Sequence, residues 1–213
     1  APAPTVLYGY GGFEISMSPG YSATVGESFL REGMCYAVAC IRGGGEFGAR
    51  WHRAAKKELR WRAYEDFAAV AKDLVTTGVT THGTLGCMGG SNGGLLTGAM
   101  MTHYPHLFGA VVSQCPLLDM ERYVLLTSGP SWIDEYGDPS KPDERAALLG
   151  FSPYHNLEKS VENAIKERGF DEAAARRGAH VPATLLTTST ADDRGHPSPP
   201  PRVVPKMRAP GIG

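Results

Sequence analysis

A serine surrounded by glycines is the feature of this sequence with the clearest chemical potential. The stretch LGCMGGSNGGLL, residues 85–96, places Ser91 between an apolar run and the start of a helical pattern. Residues 89–93 satisfy the G-x-S-x-G pattern, in which glycines on both sides of the serine relieve crowding at a sharp strand-to-helix turn. Ser91 is therefore predicted to be a nucleophile, with a plain glycine-rich connection as the alternative.

A nucleophilic serine needs partners, because its hydroxyl reacts only when a base removes the proton and a third group orients that base. In proteins with this type of turn the chain order is serine, acid and then histidine. Asp192 is the candidate acid, since it follows directly on the last apolar run, which begins at Val181. A turn or capping role is the alternative for Asp192.

Five short apolar runs rich in β-branched and aromatic residues predict the strands that would position these groups. They begin at Thr5, Met34, Gly83, Gly109 and Val181. Helical patterns alternate with them, so the sequence predicts an α/β fold with a mainly parallel sheet. Because the runs are nearly continuous in apolar residues, we expect helices on both faces of the sheet.

The segments between the strands differ in character. Residues 62–78 place apolar side chains on one face at helical spacing, and residues 93–105 predict a shorter helix that Pro105 ends. Residues 119–158 are rich in proline, glycine and aromatic residues, which predicts irregular structure. One or two exposed, charged helical turns are expected before the last strand.

Composition excludes several classes of partner. The 213 residues carry 21 basic and 22 acidic side chains, so no global charge favours nucleic acid or an anionic membrane. The cysteines are predicted to be buried free thiols, and no histidine has metal-ligand spacing, so neither a metal nor another cofactor is expected. No signal peptide or membrane-spanning run is visible, which favours the cytoplasm. Nothing in the composition indicates an oligomeric state.

Six motifs together resemble a known family. They are LYGYGGF, IRGGGEFG followed by Trp51-His52, GGSNGGLL, PSWIDEYGDP, SPYHNL and TSTADDR. Their order and surroundings are similar to the peptidase domain of the prolyl oligopeptidase family of serine peptidases, over residues 5–194. The resemblance implies an α/β-hydrolase fold and cleavage of short peptides after proline through an acyl-enzyme. It is nearer to the prolyl-specific members than to the oligopeptidase B or dipeptidyl peptidase members.

The resemblance also implies roles for the residues that match the family motifs. Ser91 would be the nucleophile and Asp192 the acid of the triad. The backbone N–H of Asn92 and the phenol of Tyr10 would form the oxyanion hole, where preorganised donors stabilise a developing alkoxide.

Four further matches concern substrate binding. Phe13, Trp132 and Tyr136 would form an aromatic pocket for the proline ring, and Arg194 would hydrogen-bond a substrate carbonyl. The alternatives are ordinary core or loop aromatics, and a surface ion pair of Arg194 with its neighbour.

The carboxyl-terminal end departs from the family pattern. The family places its catalytic histidine a few dozen residues beyond the acid, whereas this sequence ends nineteen residues after Arg194. We therefore expect a domain truncated at both ends, without the catalytic histidine and the last strand or strands of the sheet, and with impaired activity. His196 is the only weak candidate for a surrogate base. Residues 1–194 would form the partial domain, and residues 195–213, with six prolines, an irregular tail.

Other functions fit parts of the sequence. Without a base, the chain would be a non-catalytic module that binds proline-containing peptides. A lipase or esterase would share the serine turn. Residues 43–48 also satisfy the dinucleotide-binding pattern G-x-G-x-x-G, with Glu65 and Asp66 at a suitable distance for a ribose contact.

Overall fold

The described part of the chain is built around a five-stranded parallel sheet. A computed structural model describes residues 1–168, 181–188 and 204–205. The strands are β1 (Thr5–Gly9), β2 (Cys35–Ala39), β3 (Leu85–Gly90), β4 (Ala110–Gln114) and β5 (Ala183–Thr187), in the order β2-β1-β3-β4-β5. Each neighbouring pair is parallel. The five predicted strands and their parallel pairing are confirmed.

Strand register places one row of apolar side chains on a common face. Leu7 of β1 lies opposite Cys87 of β3, which lies opposite Val111 of β4, and all three are buried. Successive side chains of a strand point to opposite faces, so alternate residues of each strand line this face. It forms the floor of the hydrophobic core.

Seven α-helices accompany the strands within residues 1–168 and 181–188. They are α1 (Ala23–Val25), α2 (Ala49–Arg53), α3 (Trp61–Thr76), α4 (Asn92–His103), α5 (Ile133–Tyr136), α6 (Pro142–Phe151) and α7 (Pro153–Arg168). A π-helical segment covers Gly26–Leu30, and 3₁₀ segments cover Lys57–Leu59, Pro105–Leu107, Tyr123–Leu125 and Gly129–Trp132.

The helices predicted over residues 62–78 and 93–105 are present as α3 and α4, and both pack on the Leu7 face. A methyl group at Gly9 would lie 2.5 Å from Phe67 of α3 and 2.9 Å from Leu96 of α4, so both helices approach β1 on this side. Helix α3 buries the predicted apolar stripe, and Gly78, with a φ of 77°, follows its end. The opposite face of the sheet carries the Gly26–Leu30 segment, whose Phe29 stacks on Tyr36 of β2 with ring centroids 5.8 Å apart.

The prediction of irregular structure over residues 119–158 is wrong for its second half. Helix α6 begins with a proline, which suits a first helical turn because its missing N–H would have no partner there. Leu148 and Phe151, three residues apart, bury one face of it. Helix α7 spans sixteen residues and packs on α4, so it is longer than the one or two exposed turns expected.

Several expectations concern burial and the chain ends. All four cysteines are free, but only Cys87 is buried and Cys40 is exposed, so the prediction of uniformly buried thiols is wrong.

Apart from residues 204 and 205, the tail at 195–213 lies outside the described residues, and the proposed boundary at 194 stays a prediction. No helix within the described residues has the length and apolar character needed to cross a bilayer.

Candidate active site

Ser91 lies at the turn between β3 and α4 in a conformation that L-residues rarely adopt. Its φ is 56° and its ψ is −115°. The backbone N–H donates to the carbonyl of Gln114 at 2.8 Å, and the carbonyl accepts from the N–H groups of Gly94 at 2.9 Å and Leu95 at 3.1 Å. These bonds over-determine the turn, as is typical where backbone strain persists at a functional site.

The glycines around Ser91 are required by close backbone approaches. A methyl group at Gly89 would lie 2.3 Å from the carbonyl oxygen of Gly93, and one at Gly93 would lie 2.5 Å from the carbonyl oxygen of Gly9. No side chain fits at these distances without movement of the backbone. The glycine pattern in the sequence therefore reflects how tightly β3, α4 and β1 meet at the serine.

Helix α4 presents its amino end to the serine. Its first eleven residues are buried, and Asn92 is the first of them. The first N–H groups of a helix have no intrahelical partner and carry partial positive charge. The backbone N–H of Asn92, one residue after Ser91, is one of these groups.

The Asn92 side chain connects the serine turn to the backbone of Tyr10, whose phenol is a predicted donor to the oxyanion. Its Nδ2 donates to the carbonyl of Tyr10 at 2.6 Å, and its Oδ1 accepts from the Tyr136 hydroxyl at 2.8 Å. Burial raises the pKa of Tyr136 well above its ordinary value, so the phenol keeps the proton that it donates. Asn92 therefore joins the backbone of Tyr10 to the buried Tyr136.

Residues 10–14, which we call the 10–14 loop, carry both Tyr10 and Phe13. Three residues of the loop have positive φ: Gly11 at 65°, Phe13 at 55° and Glu14 at 56°. For residues other than glycine this conformation costs energy and needs support from the surroundings. The loop is consequently a second strained segment beside Ser91.

The glycine-rich segment 43–48 packs against the 10–14 loop. A methyl group at Gly43 would lie 2.4 Å from the carbonyl oxygen of Gly11, and one at Gly45 would lie 2.2 Å from that of Glu14. These glycines thus permit a close approach of two backbones. Asp66, a candidate for a ribose contact, accepts hydrogen bonds from the backbone N–H and the guanidinium of Arg42.

The predicted aromatic pocket residues occupy different depths. Phe13 is half-buried and its ring meets Tyr136 edge to face, with centroids 5.5 Å apart. Tyr136 itself has no exposed surface, so the structure places it behind Phe13 rather than at a surface a substrate could touch. Trp132 is half-buried and ends the 3₁₀ segment Gly129–Trp132.

A buried charged cluster below the loop was not anticipated from the sequence. Glu135 contacts the guanidinium of Arg60 at 2.5 Å and the Nε2 atom of His52 at 2.7 Å. Arg60 and Glu135 expose only 1% and 4% of their surface. Burial acts to raise the pKa of Glu135, but Arg60, the Phe13 amide and His52 together hold it below its ordinary value. Glu135 lies inside the PSWIDEYGDP motif, and this position is the one sequence feature that indicates a role for the residue.

Three of the predicted site residues cannot be placed. Asp192, Arg194 and His196 lie outside the described residues. Their predicted roles as acid, substrate contact and surrogate base stay predictions. Ser91, Asn92, Tyr10 and Phe13, by contrast, lie on two adjoining segments joined by the Asn92 side chain.

Comparison with known proteins identifies relatives of this arrangement. A model of the prolyl oligopeptidase family matches residues 21–213. An uncharacterised peptidase of Sinorhizobium fredii is 48% identical over 194 residues, which cover 91% of this chain and 24% of that protein. The chain thus spans about a quarter of the length of that relative.

Solved structures with the same fold agree with this match. A prolyl endopeptidase structure superposes with a TM-score of 0.87 at 39% identity, covering 100% of this chain and 28% of the other. A post-proline cleaving enzyme from Rickettsia typhi gives a TM-score of 0.84 at 37% identity, covering 98% of this chain and 28% of the other. The sheet and helices described above therefore form an α/β-hydrolase fold, and the chain belongs to the prolyl oligopeptidase family.

Proposed function

We propose that this chain is a serine peptidase domain that cleaves short peptides after proline. The observation that carries the proposal is the backbone of Ser91, held at a φ of 56° directly before the buried helix α4. A strained strand-to-helix turn of this kind exposes a serine hydroxyl for attack on a carbonyl. Relatives that include a post-proline cleaving enzyme support the choice of substrate.

The proposed chemistry is acyl transfer. Ser91 Oγ attacks the carbonyl on the proline side of the scissile bond while its proton passes to a general base, and the leaving amine departs protonated. Water then releases the acid by the reverse proton transfer. The Asn92 N–H and the Tyr10 hydroxyl stabilise the alkoxide of each tetrahedral intermediate.

The remaining roles are proposed from the family motifs. Asp192 would orient the base and Arg194 would bind a substrate carbonyl. Phe13 and Trp132 would contact the proline ring, with Tyr136 supporting Phe13 from behind through the edge-to-face contact at 5.5 Å.

A second candidate function is peptide binding without turnover. The observation that favours it is that no histidine within these 213 residues matches the catalytic motif of the family. In a serine triad, loss of one member can cost as much as loss of all three, a factor of about 10⁶ in a well studied case. Binding surfaces for the peptide would survive that loss.

Labelling by a fluorophosphonate probe tests the proposal. We expect the purified 213-residue chain to be labelled at Ser91 only slowly, because the probe reports an activated serine whatever the peptide specificity but no histidine of these residues matches the family's catalytic base. We expect no labelling of the Ser91→Ala variant. A thermal melt of both proteins establishes that each is folded. Equal labelling of the two proteins, or none of a folded wild-type chain, contradicts the peptidase proposal.

Peptide binding separates the two candidate functions. A proline-containing peptide and its alanine counterpart are titrated against the Ser91→Ala variant while tryptophan fluorescence is followed. Tighter binding of the proline peptide together with no labelling of the wild-type chain favours the binding module. Labelling with cleavage of the proline peptide favours the peptidase.

A further inference from the structure

We propose that Glu135 is a positioning residue, whose carboxylate, together with Arg60 and His52, clamps the 10–14 loop in the conformation that the oxyanion donor and the pocket ring require. The inference rests on the proposed function, because it assigns to Tyr10 and Phe13 the roles given above. It extends that function to the buried Arg60 and Glu135 and the partly buried His52, none of which need touch substrate.

The clamp acts directly on the backbone of the loop. Glu135 Oε1 accepts a hydrogen bond from the Phe13 N–H at 3.0 Å, and Arg60 Nη1 donates to the Gly11 carbonyl at 2.8 Å. The Asn92 side chain holds the Tyr10 carbonyl at 2.6 Å. Three side chains from separate segments thus hold the loop at three of four consecutive residues.

The loop needs such a clamp because its own conformational preference opposes the observed one. Phe13 and Glu14 both adopt positive φ, which residues with a side chain avoid unless the surroundings over-determine it. If the bond to the Phe13 N–H were lost, the backbone there could relax to negative φ. That rotation would move the Phe13 ring and disturb Tyr10, three residues earlier.

The orientation of the Glu135 carboxylate is itself fixed by two partners. Arg60 Nη2 contacts Oε1 at 2.5 Å, and His52 Nε2 contacts Oε2 at 2.7 Å. Each oxygen therefore has its own partner, and the carboxylate cannot rotate without losing one of them. Arg60 also lies over the ring of Tyr136, with 5.0 Å between its Cζ atom and the ring centroid. The cluster thereby connects the 10–14 loop to Tyr136, the ring that lies behind Phe13.

Positioning explains the buried charges better than stability does. Buried ion pairs are often no more stabilising than apolar residues of the same shape, because desolvation offsets the attraction between the charges. Apolar residues, however, could neither accept from the Phe13 N–H nor donate to the Gly11 carbonyl. The directional bonds to the loop are therefore what this cluster supplies.

The test compares three variants with the wild-type chain. Glu135→Gln removes the negative charge of the cluster. Arg60→Met/Glu135→Leu replaces the whole ion pair by apolar side chains of similar size. Such a replacement usually preserves folding, so the double variant can be measured even if Glu135→Gln does not fold. Asp119→Asn is the matched control. Asp119 is a nearly buried carboxylate that also accepts from one backbone N–H and one guanidinium, both of Arg122, and neither contact involves the loop.

Hydrogen exchange of the Phe13 amide measures the clamp directly, and the Leu7 amide in β1 reports global opening. We expect the ratio of Phe13 to Leu7 protection to fall at least about tenfold in the double variant, since the acceptor for the Phe13 N–H is lost. The fall in Glu135→Gln should be smaller, because the glutamine amide oxygen can still accept this bond. The ratio should stay unchanged in Asp119→Asn. An unchanged ratio in a folded double variant overturns the proposal, as does an equal fall in Asp119→Asn.

Fluorophosphonate labelling then tests the connection to the oxyanion donor. We expect the labelling rate constant to fall about tenfold to a hundredfold in the double variant, because small misplacements of catalytic groups have effects of that size. Adding Tyr10→Phe should lower it little further, since both changes act on one donor. Full additivity of the two changes overturns the link to Tyr10. Absence of labelling in the wild-type chain overturns the proposed function instead, and the exchange ratio alone then decides whether the clamp exists.

Discussion

At the scale of single residues, Asn92 has three separate tasks. Its backbone begins α4, its Nδ2 holds the Tyr10 carbonyl, and its Oδ1 accepts from the Tyr136 hydroxyl. An asparagine side chain carries its donor and its acceptor on two separate atoms of one short amide, which lets it bind both partners at once. The resemblance implied only the backbone role, and the side-chain roles emerge from the structure.

Removal of the Tyr136 hydroxyl should destabilise the fold. Tyr136→Phe leaves the buried Oδ1 atom of Asn92 without this donor, which should lower the free energy of unfolding by about 1–3 kcal/mol. Urea unfolding of the two proteins measures the difference. Tyr21→Phe is the control, because Tyr21 is 96% exposed and its loss of a hydroxyl should change stability by less than about 0.5 kcal/mol. Equal effects of the two substitutions would contradict the assigned hydrogen bond.

Sequence reasoning found the residues of the site that belong to short motifs and missed the contacts between them. Ser91 was predicted because its glycines are adjacent in the chain. Arg60 and Glu135 are separated by 75 residues, and no local pattern reveals that two such charges meet in the interior. The burial of Tyr136 was missed for the same reason, since a motif states which residue is present and not how deep it lies.

At the scale of elements, the amino end of α4 packs closely against the backbone of β1. Gly93 is the second residue of that helix, and alanine is ordinarily the better helix former by about 1 kcal/mol. Here a methyl group would meet the Gly9 carbonyl at 2.5 Å, a backbone atom that is fixed in β1. Packing should therefore outweigh helix propensity.

Alanine substitutions test that balance. Gly93→Ala should lower the free energy of unfolding by about 1–3 kcal/mol, the usual cost of overpacking. Gly26→Ala is the matched control, because Gly26 has a φ of −56° and nothing within 4 Å of the added methyl group. That variant should gain about 0.4–1 kcal/mol. Denaturant unfolding of both proteins checks the signs, and a stabilised Gly93→Ala variant would contradict the close approach.

The predictability of the elements followed the strength of their periodic signals. All five strands and helices α3 and α4 came from continuous apolar runs or a clear apolar stripe. Helices α6 and α7 begin at prolines within a stretch rich in glycine and aromatic residues, so their propensity signals pointed to irregular structure. Tertiary contacts stabilise them: α6 buries Leu148 and Phe151, and α7 packs against α4.

At the scale of the whole molecule, parallel strand order assembles the site from distant segments. The 10–14 loop follows β1 and Ser91 follows β3, and these two strands are neighbours in the sheet. Because parallel strands end at the same edge, the loop and the serine meet without any contact between them being encoded locally. The sheet order thus brings Tyr10, the proposed oxyanion donor, close to Ser91, the proposed nucleophile.

Electrostatics at the same scale predicts loss of stability in acid. Among the residues that the structure describes, five carboxylates have a lowered pKa: Glu121, Asp134, Glu135, Asp138 and Glu144. Glu135 is the buried one, with an ordinary value of 4.5. A carboxyl whose folded-state pKa is depressed contributes its full stability above its unfolded-state pKa. That contribution is lost as the pH falls through the folded-state value.

Unfolding at several pH values measures this contribution. The wild-type chain should be more stable than Glu135→Gln near neutral pH, and the difference should narrow as the pH falls from about 6 to about 3. Urea midpoints of both proteins, taken across that range, provide the comparison. Parallel curves would show that the ionised carboxylate of Glu135 is not what distinguishes the two proteins.

The positive φ of Ser91 means that the residue needed for the proposed chemistry is not the residue that would make the fold most stable. At this φ, a residue with a side chain carries about 1–3 kcal/mol of backbone strain that glycine does not. Glycine loses more backbone entropy on folding, but that loss offsets only part of the relieved strain. Ser91→Gly should therefore unfold at a higher urea concentration than Ser91→Ala, by about 1 kcal/mol in free energy. Selection of a mutant library for thermal stability alone should therefore replace Ser91 by glycine. The selected variants would be more stable but would lack the proposed nucleophile.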